Sequence, residues 1–495
     1  MTSFLEAGID PALARLADAI IIPPFPGTEP PRWILEALGR GLAGVTLFGT
    51  NVLGETSALT SSLRSASAGM APVIAIDEEG GDVTRVAYAD GSPYPGNAAL
   101  GAVDDVALTR SVYAAIGRDL SSLGINLNLA PCADVLGSGD SPAVGTRSFG
   151  GVTGLVARHT AAAVFGLQGA GVAACAKHFP GHGSTGTDSH HAIATIIGGL
   201  DDVRRRDLPP FSAAITAGVA AVMPGHLRVP ELTGDRPATL SAAAVTGLLR
   251  GELGFTGVVI SDALEMKATS AVFGIPGAAV LAVAAGVDLL CLGRDTDFEV
   301  YQAVRAALVS AVASGSLPGS RLEDAAARVT ALRTGLLAGH GAGAPDGVSG
   351  AAASDAASDG IGLAAARRAV RMAGLRPGAA LVRPLIIEVE PRENVAAGQF
   401  AWGLGPWAPV RRVNVGDRPD LSDAAGRSLV VVVRDASHAQ GLLSDVLAAR
   451  PDTIVIEMGV PLWTPPPGTA YLATYGASRA SAQAAAEILG LALPR

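Results

Sequence analysis

The chain has 495 residues, 49% of them hydrophobic and only 16% charged, with a formal net charge of −9. That apolar content supports a large core and excludes a disordered chain. The acidic balance leaves no basic field to hold nucleic acid or an anionic membrane. Cys132, Cys175 and Cys291 stand singly in apolar runs with no CxxC spacing, which argues against a disulfide framework or a zinc site.

The opening MTSFLEAGID contains Glu6 and Asp10 and no Lys or Arg, so it lacks the positive region of a secretory signal. A cytoplasmic location is the expectation. Apolar, strand-like runs then follow at Ala19–Ile22, Gly44–Phe48, Val73–Ile76, Ile125–Leu129, Val172–Ala176, Ala220–Met223, Gly257–Ile260 and Asp288–Leu292. They are continuous rather than alternating in polarity, as parallel strands buried on both faces should be. Each is followed by a segment able to hold a helix, so eight βα units predict an α/β fold of the (β/α)8, TIM-like barrel type over residues 1–339. The uncharged stretch Ala268–Val287 is broken by Gly274, Pro276 and Gly277 and reads as a loop followed by a buried helix, not a membrane span.

Residues 340–360, HGAGAPDGVSGAAASDAASDG, offer little to bury and read as a flexible linker. Strand-like runs resume at Leu385–Val389, Val410–Val415, Leu429–Val433, Thr453–Glu457 and Ala470–Thr474, with helices expected at Leu363–Ala373 and Ala480–Leu489. This predicts a smaller open α/β sandwich-type domain over residues 361–495.

In a barrel, chemistry gathers at the C-terminal ends of the strands. The third run ends in Asp77-Glu78-Glu79-Gly80-Gly81, with Arg85 beyond. The fourth leads into Asp134 and a loop bearing Arg147, and the fifth ends in Lys177-His178. The sixth ends in Met223-Pro224-Gly225-His226, the seventh in Ser261-Asp262, and the eighth leads to Arg294. Of 36 basic residues only Lys177 and Lys267 are lysines, and four of eight histidines (His178, His182, His190, His191) fall in one short stretch. The fifth loop, Lys177 to His190, is Gly-rich and long enough to reach over the barrel mouth. Asp188 and His190 are two apart, so the carboxylate can hold the imidazole and raise its basicity. The same loop could be read as a metal site, but its histidines lie in a Gly-Pro loop rather than on a strand or helix, and no metal or other cofactor is expected. Asp262 sits at the end of a buried run, where a partly desolvated carboxylate is either used or caps the next helix.

Taken in order, IDEEGGDVTR (76–85), TRSFG (146–150), KHFPGHG (177–183), DSH (188–190) and SDALEMKA (261–268) resemble family 3 glycoside hydrolases, in the branch of β-N-acetylglucosaminidases typified by the cytoplasmic enzyme of peptidoglycan recycling. The resemblance implies a retaining mechanism with Asp262 as nucleophile and His190 as general acid/base partnered by Asp188. It implies that Asp77, Arg85, Arg147, Lys177 and His178 hold the hydroxyls of the terminal sugar and that His226 lines the same pocket. Asp82 departs from the resemblance, standing where many members carry a basic residue, and Cys132 is unusual in its motif. The expected activity is exo-acting release of N-acetylglucosamine from a saccharide substrate. A phosphorylase using phosphate, or a β-glucosidase side activity, on the same site is the nearest alternative. A sugar-binding protein without catalysis and a metal-dependent hydrolase are the alternatives of other classes.

Overall fold

The computed structural model describes residues 10–67, 69–137, 141, 143–185, 193–339, 351–375, 381–391, 396–398 and 400–491. The chain packs into two compact units, neither continuous in sequence. The first comprises residues 1–78, 113–144 and 151–349, and the second 79–112, 145–150 and 350–495.

In the first unit all eight expected runs form strands. β1 (Ile21–Ile22), β2 (Gly44–Leu47), β3 (Val73–Ile76), β4 (Leu127–Asn128) and β5 (Ala173–Phe179) come first. Then follow β6 (Ala194–Thr195), β7 (Ala221–Pro224), β8 (Leu227–Arg228), β9 (Val258–Val259) and β10 (Leu290–Cys291). Six of them run parallel in the order β2-β3-β4-β5-β7-β9, and β1 pairs parallel with β10. Backbone bonds join these two sets at both edges. Ala43 N–H donates to Asp18 O and Thr46 N–H to Pro23 O, while Ile260 bridges Leu289 and Ser261 N–H donates to Leu289 O. The eight principal strands therefore close into a barrel, as expected. β6 and β8 form a separate parallel pair.

Barrel strands are buried because both faces are covered, which is why their sequences are unbroken in Ile, Val, Leu and Ala. Helix Lys267–Ala285, between β9 and β10, is long and apolar enough to cross a membrane by length and composition. It is interrupted at Gly274 (φ 63, ψ 158), and Ala278, Ala279, Ala282, Val283 and Ala285 are buried. Carboxylates preceding the strands are held by cations: Asp288, before β10, by Arg250 and Arg321, and Asp18, before β1, by Arg305 and the Tyr301 hydroxyl. Those at the opposite ends of the strands make up the site described below.

The second unit contains β11 (Arg371–Ala373), β12 (Leu385–Val389), β13 (Val410–Val413), β14 (Leu429–Val433), β15 (Ile454–Glu457) and β16 (Ala470–Ala473). The order is β11-β16-β15-β14-β12-β13, parallel except for β11 at one edge. Alternate residues divide between two cores, as the period of two requires. Ile386, Val430, Val432, Ile456 and Leu472 pack with Val83, Trp402, Trp407 and Ala485. Ile387, Val431, Val433 and Val455 pack with Leu442, Leu443 and Val446 of helix Gln440–Ala449. Helix Ala351–Ala369 starts within the stretch expected as linker, and Arg371–Ala373, expected to end that helix, pairs as an edge strand instead.

Candidate active site

Asp77 directly follows β3 and Lys177 lies in β5, and the parallel barrel brings them together. The Lys177 ammonium, buried, donates to Asp77 Oδ1. Lys177 N–H donates to Pro131 O and Ala133 N–H to Lys177 O, so the strand that carries the lysine is locked to the segment after β4. Removing Asp77 would leave the buried ammonium uncompensated.

His178 follows in β5 and is joined to Lys177 by a cis peptide bond. Its Nδ1 lies 2.8 Å from Asp134 Oδ2. A carboxylate only accepts, so Nδ1 carries the proton and the tautomer is fixed. Asp134 is fully buried and accepts further from the backbone N–H of His178 (3.2 Å), the backbone N–H of His182 (2.7 Å) and the Cys132 thiol (3.0 Å). Burial pushes its carboxyl up, but the charge and hydrogen bond of His178, with the His182 ring and backbone N–H, outweigh that and hold it at about 2. Thr185 Oγ1 meets His182 Nδ1 at 2.7 Å, and Gly183 lies so close to the Val135 carbonyl that an added Cβ would stand 2.0 Å from it. The KHFPGHG segment is thus wrapped around Asp134, a residue visible at the strand end in the sequence but with no sign of its role as anchor.

Asp262 follows the short end of β9, where Ser261 is buried, and is itself partly exposed. Its Oδ1 accepts from Ala263 N–H at 2.8 Å. The buried Cys175 thiol, pushed up by desolvation, feels Lys177, Asp77 and Asp262, so these three charges lie around one point in the barrel. Cys291, pushed up to about 12 by burial, feels both Asp77 and Asp262. His226 is fully buried, with Nδ1 3.0 Å from Thr239 Oγ1 and Nε2 3.0 Å from Ala263 O. Lys267 is exposed at the start of its helix. Asp188 and His190 lie outside the described residues.

The other two expected sugar-binding residues belong to the second unit. Arg147 is buried and pairs with both oxygens of Glu79, with Nη2–Oε1 at 2.7 Å and Nε–Oε2 at 2.9 Å. Arg85 Nη2 donates to Ala396 O at 2.8 Å. Asp82 accepts from Arg434 (2.6 Å), Thr146 Oγ1 (2.9 Å) and Ala477 N–H (2.9 Å). A basic residue there would face the Arg434 guanidinium, which accounts for the acidic side chain. Glu388 of β12 is fully buried and accepts from Leu404 N–H at 2.6 Å.

The described residues contain one set of donors compact enough for a metal: the Cys132 thiol, the Asp134 carboxylate and the His178 imidazole, all buried, with donor atoms within 4.8 Å of one another. The Asp134 contacts to His178 and Cys132, 2.8 and 3.0 Å, are hydrogen-bond lengths. Two ligands each about 2.0 Å from a tetrahedral zinc stand roughly 3.3 Å apart.

Residues 34–332 match the glycosyl hydrolase family 3 N terminal domain. Beta-hexosaminidase A of Pseudoalteromonas piscicida is 33% identical over 336 residues, 62% of this chain and 56% of that protein, so the chain spans little more than half the length of that relative. A beta-hexosaminidase of Stenotrophomonas maltophilia strain K279a is 37% identical over 56% of this chain and 85% of its own. Among solved structures, a glycoside hydrolase family 3 beta-N-acetylglucosaminidase from Paenibacillus sp. str. FPU-7 superposes with a TM-score of 0.85 at 31% identity, covering 97% of each chain. With more than half of its length matched to the family's N-terminal domain, on a closed barrel with acidic and basic side chains at the C-terminal strand ends, the chain belongs to glycosyl hydrolase family 3.

Proposed function

We propose that the protein is an exo-acting, retaining β-N-acetylglucosaminidase that releases N-acetylglucosamine from the non-reducing end of a saccharide. The observation that carries the reading is Asp262: a partly exposed carboxylate at the C-terminal end of a barrel strand, in the same electrostatic neighbourhood as the buried Lys177 ammonium and its part-buried partner Asp77. A retaining glycosidase needs a carboxylate nucleophile on one face of the anomeric carbon and a proton donor at the leaving oxygen. Asp262 supplies the first. His190, partnered by Asp188, supplies the second. Asp77, Lys177 and His178 hold the sugar hydroxyls. The names of the relatives support the substrate class. A cytoplasmic location and a part in peptidoglycan recycling extend the same reading.

The test is product analysis on a nitrophenyl N-acetyl-β-glucosaminide with and without phosphate. The expected product is free N-acetylglucosamine released with retained anomeric configuration. A sugar 1-phosphate formed when phosphate is added would make the protein a phosphorylase, the role left open by an imidazole that does not repel phosphate. A 5-fluoro glycosyl fluoride should label Asp262, and a label elsewhere removes the assignment. His190→Ala should cripple natural oligosaccharides more than activated aryl substrates, with azide restoring turnover.

A further inference from the structure

His226 stands just past β7, between Gly225 and β8, and is fully buried. Its Nε2 lies 3.0 Å from the carbonyl oxygen of Ala263. A carbonyl only accepts, so Nε2 carries a proton and donates it there. On the other side of the ring, Nδ1 meets the Thr239 hydroxyl at 3.0 Å. That hydroxyl is itself 2.9 Å from both Pro224 O and Gly225 O, on the segment that carries His226. The imidazole is therefore fixed from behind and pointed at Ala263.

Ala263 is the residue after Asp262. Its N–H donates to Asp262 Oδ1 at 2.8 Å, and its carbonyl accepts from Met266 N–H at 3.1 Å as well as from His226. The amide that holds the carboxylate and the carbonyl held by the imidazole thus flank a single Cα. On the other side of Asp262, Ser261 N–H donates to Leu289 O at 2.9 Å and Ser261 Oγ accepts from Cys291 N–H at 3.0 Å. Asp262 is bracketed, with Ser261 pinned toward β10 and Ala263 pinned to the segment after β7.

We propose that His226 is a positioning residue that sets the backbone beside Asp262 through Nε2–H and the Ala263 carbonyl, in place of the direct sugar contact expected of it. The inference rests on Asp262 being the nucleophile. Because Met266 N–H also serves that carbonyl, removing the imidazole loosens the turn without stripping the oxygen of every donor. What changes is the aim of the carboxylate, and small misplacements of reacting groups cost rate rather than affinity.

The experiment compares His226→Leu, which fills the space without a donor, with His226→Gln, whose amide can restore one. His226→Leu should lower kcat and the rate of labelling by a 5-fluoro glycosyl fluoride by about 30-fold each, while inhibition by N-acetylglucosamine changes by less than about 3-fold. His226→Gln should recover most of the lost rate. Raised KM or weakened N-acetylglucosamine inhibition with kcat retained would make His226 a sugar contact and overturn the proposal, as would equal kcat in the two variants. If His226→Leu does not fold, Thr239→Val decides, since it keeps the ring and removes the group behind it. A fall in kcat with sugar inhibition retained supports positioning, and an unchanged kcat overturns it. Wild-type label on a residue other than Asp262 removes the nucleophile assignment, whereas label on Asp262 with full kcat in His226→Leu removes only the positioning role.

Discussion

Asp134 in the first unit and Glu457 in the second are both fully buried carboxyls beyond or at the C-terminal end of a parallel strand, yet they titrate in opposite directions. Burial raises both. At Asp134 the charge and hydrogen bond of His178, with the His182 ring and backbone N–H, outweigh it and hold the carboxyl at about 2. At Glu457 burial prevails over the bonds from the Tyr471 hydroxyl and Ala436 N–H, Asp435 adds repulsion, and the carboxyl rises to about 7. A buried carboxylate stays ionised where imidazoles and backbone N–H groups converge on it. Where one hydroxyl and one amide serve it beside another carboxylate, its pKa climbs toward neutrality.

The largest test of that contrast is Asp134→Ala. It takes the acceptor from His178 Nδ1 and from the backbone of the wrapped loop, and should cost about 3–5 kcal/mol, the range for breaking a buried pair. Activity should fall by about 10²-fold or more. Urea unfolding measures the first, and a loss below about 1 kcal/mol would mean that the loop holds itself. The pH dependence has a definite sign. Asp134 falls from an ordinary 3.8 to about 2 on folding, so its stabilisation is complete above 3.8 and disappears as pH drops toward 2.

Next comes Lys177→Ala, which takes the ammonium away from the part-buried Asp77. It should lower kcat/KM by about 10²-fold or more, as expected for the loss of a charged hydrogen bond. A change within about 3-fold would separate the ion pair from the chemistry.

Glu457→Gln probes the other side. Its carboxyl rises from 4.5 to about 7 on folding, so the protonated form's contribution is complete below 4.5 and is lost as pH climbs through 7. The variant should therefore gain on the wild type by about 2–3 kcal/mol between roughly pH 5 and pH 8.5, and a pH-independent difference would show that Glu457 is ionised in the fold throughout. The smallest effect is reserved for Lys267→Ala. With this side chain exposed, stability should shift by less than about 0.5 kcal/mol and kcat/KM by less than about 3-fold. A large loss would place Lys267 in the machinery.

The strands were legible because burial on both faces forces unbroken runs such as Val73–Ile76 and Leu429–Val433. Edge strand β11 was hidden by being three exposed residues next to a helix of similar composition. Asp77, Lys177 and Asp262 could be read from their places at strand ends, and the structure brings them to one neighbourhood. The grip of Asp134 on His178 spans 44 residues of sequence, and that of Glu79 on Arg147 spans 68. No local pattern announces such pairs, since either carboxylate could have met water. Val83 in the core beside Trp402 and Ile386 was invisible for the same reason: periodicity tells which side is apolar, not which partner covers it.

Because the second unit draws on residues 79–112 and 145–150 as well as everything from 350 onward, it is unfinished for most of the time the ribosome is making the chain. At about 5–20 residues per second, the stretch ending near residue 112 waits on the order of ten seconds or more before its partners begin to emerge. Through that interval Val83 and its neighbours lack the sheet that buries them. The low-complexity stretch near residue 345, which invites a clean cut between domains, would make that exposure permanent in a shortened gene product.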